Sequence, residues 1–419
     1  MTTTAVKEQG PAAVAPAPTV GSHLNNYWRR VRGGDIGALP AVLMLLALCV
    51  GFSIHSPSFF TAGNFANLFT QGAAVTLIAM GLVFVLLLGE IDLSAGFASG
   101  VCAAVLANVV TVFGYPWYVA VLAAVATGVV IGTTLGLLVA KVGIPSFVVT
   151  LAGFLAFQGV VLELMKEGAN ISVRDETLVA IANRNLSPVL GWTLAALALA
   201  GYATVQLVRH RNRATRGLIT DPIAVVGARI VGLGVILGAA VYVLNLERSR
   251  NVLVVSLKGV PIVVPIIAVL LVVWTFVLQR TSYGRHVYAV GGNREAARRA
   301  GINVDRIRIS VFVICSSMAA VGGIVAASRA NSVDPNTGGS NVLLYAVGAA
   351  VIGGTSLFGG KGRVLDAVLG GALVAVIDNG MGLMGYSSGR KYVVTGLVLL
   401  AAATIDALTR RRAASTGTR

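Results

Sequence analysis

Long apolar runs separated by short polar segments dominate the pattern along the chain. About twelve runs approach the roughly 20 residues that a helix needs to cross the hydrocarbon core of a bilayer. They occupy residues 36–55, 68–88, 93–112, 117–140, 145–165, 190–208, 222–245, 260–278, 309–327, 342–358, 366–384 and 392–408. Gly and Pro interrupt several runs, so some are expected to be half-spans. The pattern predicts an all-α polytopic integral membrane protein.

The composition supports this prediction. Only 11% of the 419 residues are charged and 56% are hydrophobic, with a mean hydropathy of +0.84. An ordinary soluble domain carries about 25% charged residues, enough to cover a surface in contact with water. We therefore expect one transmembrane domain over residues 36–408. Polar tails flank it at residues 1–35, expected to be disordered, and at residues 409–419.

Basic residues at the ends of the apolar runs predict the orientation. The net charge of +16 would suggest a nucleic-acid partner in a soluble protein. Here the arginines flank spans, where they set topology, so no nucleic acid is expected. With the N-terminus inside, five clusters fall on one side, at residues 29–32, 141, 209–216, 280–308 and 410–412. Both termini are therefore predicted to be cytoplasmic. Three basic residues on the outer side, Arg248, Arg250 and Lys258, do not fit this orientation.

The basic loop at residues 280–308 is expected to contain a short helix. Asn293 follows two glycines and can cap a helix, and Glu295 would lie in the first turn, where the helix dipole favours an acid. Gly301 would end the helix. The segment of interest comprises Gly291, Gly292, Asn293, Glu295, Ala296, Ala297 and Gly301. On composition alone, a positive-inside loop that happens to be helical explains it equally well.

Four sequence blocks occur in order along the chain. They read GEIDLSAG at 89–96, GIPSFVVTL at 143–151, the segment 284–304 with EAAxxxG at 295–301, and VIGGTSLFGGKGR at 351–363 before DNG at 378–380. In this order they resemble the permeases of ATP-binding-cassette (ABC) importers for ribose, xylose and related sugars. The similarity covers roughly residues 59–408. Residues 187–258 read as an inserted pair of spans, as in the xylose-type permeases, which favours a pentose.

The resemblance implies a ten-helix type II importer-like core plus the inserted helix pair, in a bacterial plasma membrane. It further implies an ABC ATPase subunit, an extracytoplasmic sugar-binding protein and a homodimer of this chain. The helix after Gly292 would be the coupling helix that contacts the ATPase. An ion-coupled secondary sugar transporter is the alternative, but that class favours inverted repeats and paired buried ionisable groups, and no clear repeat is visible.

The chain itself is expected to bind no cofactor and to catalyse no reaction. The segment 353–362 is the nearest match to a phosphate-binding loop, but Thr355 stands where glycine is required and Gly362 where Ser or Thr is required. ATP and Mg would therefore be used by the partner ATPase. The three cysteines and four histidines show no ligand spacing, so no metal site is expected.

A sugar crossing hydrocarbon needs polar groups that face the interior of the bundle. The candidates are Asn67, Gln71, Glu90, Asp92, Ser94, Thr355, Ser356, Asp378 and Asn379. For Asp92 we favour a structural alternative, a turn in which it caps the next span. Hydrogen bonding between helices explains Asp378 and Asn379 as well as sugar contact does.

Overall fold

The computed structural model describes residue 21 and residues 39–166, 169–218, 220–249 and 256–415. Helices make up most of this part. They are α1 (Leu39–His55), α2 (Ala62–Leu87), α3 (Ala95–Ala107, continued by a π-helical turn Asn108–Val112), α4 (Trp117–Leu137, continued by a π-helical turn Leu138–Val142), α5 (Ser146–Leu164), α6 (Glu176–Asn183), α7 (Pro188–Thr215), α8 (Ile223–Leu244), α9 (Val263–Arg280), α10 (Ser282–Gly292), α11 (Arg294–Arg299), α12 (Val304–Ala330), α13 (Ser340–Ile352), α14 (Val364–Leu383) and α15 (Ser388–Ser415). Strands β1 (Ile171–Ser172) and β2 (Ser332–Val333) form a two-stranded antiparallel sheet, with Ile171 opposite Val333.

Each of the twelve apolar runs overlaps a helix, although the run at 342–358 extends beyond the end of α13 at Ile352 and residues 36–38 of the first run lie outside the described residues. Within the described residues, nine helices are long and apolar enough to cross a membrane, which confirms the polytopic class. Helices α1 and α13 are shorter, at 17 and 13 residues. Helix α15 covers the twelfth run and continues through residues 409–415, the first part of the predicted basic tail. The predicted tail at residues 1–35, apart from residue 21, and its arginine cluster lie outside the described residues, so twelve passes stay a prediction.

Helix α12 forms the centre of the bundle and packs against α2, α3 and α4. On the other side of α2, α14 packs against α2 and α13. Close approach between α4 and α12 requires glycine. A methyl group added at Gly132 would lie 2.5 Å from the carbonyl oxygen of Phe312. Such small-residue contacts bring membrane helices together, because lipid supplies little hydrophobic driving force between them.

One end of the bundle collects the basic segments. Lys141 at the end of the π-helical turn after α4 pairs with Asp305 in the first turn of α12, at 3.2 Å. The ends of α7 and α9 lie together, since Arg213 and Arg280 border the same cavity. We call this the basic end and the opposite one the far end. The clusters at 141, 209–216 and 280–308 thus lie on one side, as the charge pattern predicts.

Helices α7 and α8 occupy the segment that is predicted to be an inserted pair, and they lie at the edge of the bundle. They pack on each other, and only 6% of the apolar window of each is buried. The chain segments that flank the pair run side by side. The amide of Leu186 donates to the carbonyl of Val260 at 2.8 Å, and the amide of Ile262 donates to the carbonyl of Arg184 at 3.1 Å. The pair therefore leaves and re-enters the bundle at one place, where residues 184–186 and 260–262 are hydrogen-bonded to each other. We call these paired segments the closed neck.

Candidate functional site

The motif blocks separated along the sequence meet at the basic end, where their glycines bring three stretches of backbone into contact. The amide of Gly360 donates to the carbonyl of Leu87 at 2.8 Å. A methyl group added at Gly291 would lie 1.9 Å from that same carbonyl oxygen, and one added at Gly359 would lie 2.9 Å from the amide nitrogen of Gly89. At Gly291 and Gly359, therefore, no side chain larger than a hydrogen atom fits between these segments. We call this meeting of residues 87–94, 288–294 and 353–363 the junction.

The second block joins the junction through two hydroxyl groups on the first turns of α5. The amide of Ile91 donates to Ser146 Oγ at 3.3 Å, and Thr150 Oγ1 donates to the carbonyl of Ile91 at 3.2 Å. All four blocks therefore lie within one cluster of contacts. Their order along the chain identified the family resemblance, and their contacts explain why they belong together.

Helix α11 has the form that the sequence predicts. Asn293 Oδ1 accepts from the amide of Ala296 at 2.9 Å, which caps the helix. Gly301 has φ +82°, a left-handed conformation that ends the helical segment at little cost for glycine. Ala297 is buried and fixes one face of α11 against the bundle.

The opposite face of α11 is open. Glu295 pairs with Arg299 at 3.1 Å and with Arg298 at 4.0 Å. The side chains of all three are more than half exposed, at 59%, 79% and 67% for Glu295, Arg299 and Arg298. Exposed ion pairs of this kind contribute little to stability. This face can therefore change partners without disturbing the fold.

Glu90 ties α11 and α12 to the segment between α2 and α3. Its Oε1 accepts from Arg294 Nη2 and Arg308 Nη2, each at 2.7 Å. Arg294 Nη2 also donates to the carbonyl of Leu88 at 3.3 Å. Glu90 is 5% exposed, so the pair lies in surroundings that screen charge weakly. The carboxylate joins three elements and does not face an open path.

Asp92 and Ser94 form a buried turn that leads into α3. Asp92 Oδ1 accepts from the amide of Ser94 at 2.8 Å and from its hydroxyl at 2.6 Å. Ser94 is the N-cap of α3, so Asp92 holds the turn just before the helix. Burial raises the pKa of Asp92, and its hydrogen bonds to Ser94 oppose that rise. The structure contains the turn that the structural alternative predicts, but the N-cap position of α3 belongs to Ser94 and not to Asp92.

Ser356 stabilises the turn that follows α13. The amide of Ser356 donates to the carbonyl of Lys361 at 2.9 Å, and Ser356 Oγ accepts from the amide of Phe358 at 3.1 Å. Tyr288 Oη donates to the carbonyl of Gly362 at 2.8 Å, which holds the turn against α10. Burial and the nearby charge of Asp366 raise the pKa of Tyr288, so it remains a donor at neutral pH. Both Thr355 and Ser356 are buried within the junction.

Three of the other predicted pathway residues, Gln71, Asp378 and Asn379, lie near the far end, in a network between α2 and α14. Gln71 Nε2 donates to Asp378 Oδ2 at 2.5 Å, and Lys391 Nζ on α15 donates to Asp378 Oδ1 at 3.0 Å. Asn379 and Asn64 exchange two amide hydrogen bonds, at 2.9 and 2.8 Å. Asn379 Nδ2 also donates to Gln71 Oε1 at 3.2 Å. These bonds connect helices, and they also gather amides, a carboxylate and an ammonium in one place.

Two tyrosines border this network. The rings of Tyr345 on α13 and Tyr392 on α15 lie 6.4 Å apart, and Asn341 Nδ2 donates to Tyr392 Oη at 2.7 Å. Aromatic faces beside polar donors are a common environment for sugars, whose rings carry both C–H and hydroxyl groups. No sequence pattern predicts this pair, because the two rings come from different helices.

The nine predicted pathway residues thus fall into separate groups. Gln71 lies sixteen residues before Leu87 on α2, or about 24 Å along the helix axis. Glu90, Asp92, Ser94, Thr355 and Ser356 lie at the basic end, whereas Gln71, Asp378 and Asn379 lie toward the far end. Asn67 is exposed, about 60° around α2 from Asn64 by helix geometry, and outside the network described above.

Sequence reasoning missed several partners of these residues. Asn64 precedes Gln71 by seven residues, a spacing that places both on one helix face and could have revealed it. The charge pattern predicts only an orienting role for Arg294 and Arg308, whereas in the structure both bind Glu90. Lys391 begins the last apolar run, and nothing local predicts its contact with Asp378.

A protein-family model described as "Branched-chain amino acid transport system / permease component" matches residues 64–403. The xylose transport system permease protein of Haemophilus influenzae is 33% identical over 378 residues, which cover 89% of this chain and 98% of that protein. The xylose transport system permease protein of Escherichia coli is 36% identical over 357 residues, covering 85% and 87%. The ribose import permease protein of Escherichia coli is 31% identical over 369 residues, covering 88% and 92%. No solved structure matches the chain.

Proposed function

The chain belongs to the branched-chain amino acid transport system permease component family, and on this premise we propose that it is the multi-pass inner-membrane permease subunit of a sugar ABC importer. The substrate that its relatives favour is a pentose such as xylose, since the two xylose permeases are 33% and 36% identical to it. The basic end faces the cytoplasm, as positive charge directs. The permease is not itself an enzyme.

The observation that carries this proposal is the junction, in which one exposed short helix is fixed to the bundle by glycine backbones and a buried carboxylate. A transport subunit driven from outside needs such a part. Movement applied to α11 reaches α12 through Arg294, Glu90 and Arg308, and it reaches α2 through the contact between Gly291 and Leu87. Gly291, Gly292, Asn293, Glu295, Ala296, Ala297 and Gly301 are therefore assigned to coupling.

The energy source is a separate ABC ATPase that uses ATP and Mg. The glycine-rich segment 353–362 is occupied in other ways. The amide of Gly360 donates to Leu87 and the amide of Ser356 donates to Lys361, so these donors are not available to phosphate.

A two-fold ATPase needs one coupling helix from each of two permeases. The permease accordingly acts as a homodimer, with a sugar-binding protein docking on the far end.

The far-end network is the proposed contact for sugar entering the path. Asp378, Asn379 and Gln71 present acceptors and donors that a pentose can bind in place of water. Their mutual hydrogen bonds satisfy them when no sugar is present. Residues at the basic end, among them Glu90 and Asp92, hold the junction in this proposal and do not contact sugar.

The test is reconstitution of the permease in liposomes with the ATPase and binding protein of its own host. Accumulation of radiolabelled xylose is measured with ATP, without ATP, and with an imposed ion gradient but no ATP. The proposal expects uptake that requires ATP and all three components. Replacing residues 293–301 by a Gly/Ser linker should abolish uptake and ATPase co-purification together, while the permease remains in the membrane.

Uptake driven by the ion gradient, with no ATPase present, would replace this proposal with an ion-coupled secondary transporter. A separate competition series, in which unlabelled ribose or arabinose competes with radiolabelled xylose for uptake, tests which sugar is the substrate. Strong displacement of xylose by ribose would move the assignment toward the ribose-type substrate and leave the importer class intact.

A further inference from the structure

A cavity of about 400 Å³ opens where the basic ends of α7, α8 and α9 meet, in the inserted helix pair. This volume lies within the range of small-ligand sites, roughly 300–1,000 Å³. The cavity has no part in the coupling or sugar path described above. Its charged lining consists of Arg209, Arg213, Arg216, Arg229, Arg280 and Asp221.

Five arginines and one aspartate leave the cavity with an excess of four positive charges. Arg229 pairs with Asp221 at 2.9 Å, and within the described residues it is the one arginine of the five with an ion pair. Elsewhere at the basic end, arginines have acids beside them, as Arg308 has Glu90 and Arg299 has Glu295. Like charges gathered in one cavity repel each other, so an anion bound among them would stabilise this arrangement.

Orientation of the spans does not require such a cavity. The positive-inside preference is satisfied by arginines anywhere near the ends of spans. Here Arg213 from α7, Arg229 from α8 and Arg280 from α9 converge on one space. Arg211 belongs to the same stretch of α7 but does not line the cavity. Convergence from three helices indicates a binding site for a compact anion.

The surroundings identify the class of anion. Leu207, Val208 and Ile223 lie on α7 and α8 beside the cavity and are exposed by 48%, 49% and 59%. In a bilayer these side chains contact acyl chains, at the depth just below the headgroups. A ligand with a phosphate in the cavity and hydrocarbon along α7 and α8 satisfies both surfaces at once. Guanidinium groups bind phosphate oxygens in pairs, which suits a cluster of arginines.

We propose that this cavity binds the phosphate headgroup of an anionic phospholipid from the cytoplasmic leaflet. Basic pockets between membrane helices on the cytoplasmic side are known to take such headgroups. The bound lipid fixes the inserted pair, which has little other contact with the bundle, to the membrane around it. The site is independent of the sugar path and of the ATPase.

The test uses the full chain purified in detergent and native mass spectrometry with added phosphatidylglycerol or phosphatidylcholine. The variants are Arg213→Gln and Arg209→Gln/Arg213→Gln, with Arg211→Gln as the matched control on the same helix. Loss of one arginine–phosphate contact should weaken phosphatidylglycerol binding by roughly tenfold. Arg211→Gln should bind it like the unaltered chain, and phosphatidylcholine should bind weakly to all.

Three results would overturn the proposal. One is equal loss of phosphatidylglycerol in Arg213→Gln and Arg211→Gln, which would indicate diffuse surface charge. Another is displacement of the lipid by an equal concentration of inorganic phosphate, which would indicate a site for free phosphate. The last is an unchanged affinity in the double variant. Arg213→Lys guards against misfolding, because it keeps the charge and should retain most of the binding.

Discussion

At the scale of single residues, Glu90 is the acid that links α11 and α12 to the segment between α2 and α3. It is a nearly buried acid that holds two arginines from different elements. Removing its charge leaves Arg308, whose side chain is only 14% exposed, with an uncompensated charge. Glu295 also faces two arginines, but in solvent, where each contact contributes little.

This contrast gives a matched prediction. Glu90→Gln should lower the free energy of unfolding by about 1–3 kcal/mol, the cost of leaving a charged group without its partner. Glu295→Gln should change it by less than about 0.5 kcal/mol. Thermal unfolding of both variants in one detergent measures the difference. Equal shifts would mean that Glu90 is not the link between the three elements.

Glu247, in the segment after α8, makes a prediction that depends on pH. Its carboxylate accepts from the amides of Leu257 and Ser249 and from the hydroxyl of Ser256, and these bonds lower its pKa from 4.5 to about 2. A lowered acid pKa means that its stabilisation is complete above pH 4.5 and is lost as the pH falls toward 2.

Pepsin cleavage of the segment 247–258 measures this loss. Near pH 4 the unaltered chain should be cut more slowly there than Glu247→Gln, because the carboxylate still holds both ends of the segment. The two rates should approach each other as the pH falls to 2, where about half of the carboxylate is protonated, and converge near pH 1, since protonation removes the same charge that the substitution removes. Both chains are compared at one pH, so the activity of pepsin cancels. A difference near pH 1 as large as that near pH 4 would contradict the assigned pKa.

At the scale of elements, α10 and α11 depend on one glycine and tolerate its neighbour. A methyl group at Gly291 would lie 1.9 Å from the Leu87 carbonyl oxygen, whereas one at Gly292 meets nothing within 4 Å. Gly291→Ala should therefore displace α10 from α2 and abolish ATP-dependent xylose uptake. Gly292→Ala should transport like the unaltered permease.

The measurement is uptake in reconstituted liposomes, with membrane insertion of both variants checked by detergent extraction and gel filtration. Normal uptake by Gly291→Ala would show that the backbone contact at the junction is not needed for coupling. Loss of uptake in both variants would point to a general demand for flexibility instead of a steric one.

The local signals in the sequence predicted these elements well, because they act over one or two turns. Apolar runs of span length predicted most helices, and the Asn293 cap together with Gly301 predicted α11. The run at 342–358 failed at its end, since α13 stops at Ile352. Gly353 lies against the carbonyl oxygen of Asp366, and Gly354 has φ +121°. That ending depends on a neighbouring helix, which a local pattern does not contain.

At the scale of the whole molecule, the junction shows what the sequence could not provide. Glu90 and Arg308 are 218 residues apart, and no spacing rule joins them. The family blocks supplied a list of important segments, but their contacts depend on how α2, α5, α10 and α14 pack. For the same reason the predicted path residues divided into two groups, since polarity along a span does not tell which end of the bundle it occupies.

The closed neck beneath α7 and α8 predicts that the inserted pair can be removed. Replacing residues 187–259 by a two-residue Asn-Gly turn should keep the contact between Leu186 and Val260, because such turns connect directly paired residues of antiparallel segments. The shortened chain should insert and should retain ATP-dependent xylose uptake. It should also lose the proposed binding of phosphatidylglycerol. Phe65 and Phe69, which α8 partly covers, would then face lipid at little cost.

The control for this deletion removes α8 alone, residues 223–244. One span fewer reverses the side on which every later helix ends, so the basic loop at 280–308 would face the wrong compartment. This control should abolish uptake. Failure of the paired deletion to reach the membrane would show that the pair supports folding of the core.

The glycine contacts at the junction also determine how much of a movement of α11 is lost before it reaches α2. Side chains at a contact between two elements can change rotamer, and such a change absorbs part of a displacement before the second element moves. Where Gly291 meets Leu87 and Gly359 meets Gly89, backbone touches backbone and has no rotamers to change. These contacts have no side chain that can reorient, so in the proposed importer a movement of α11 driven by the ATPase would reach α2 with little loss.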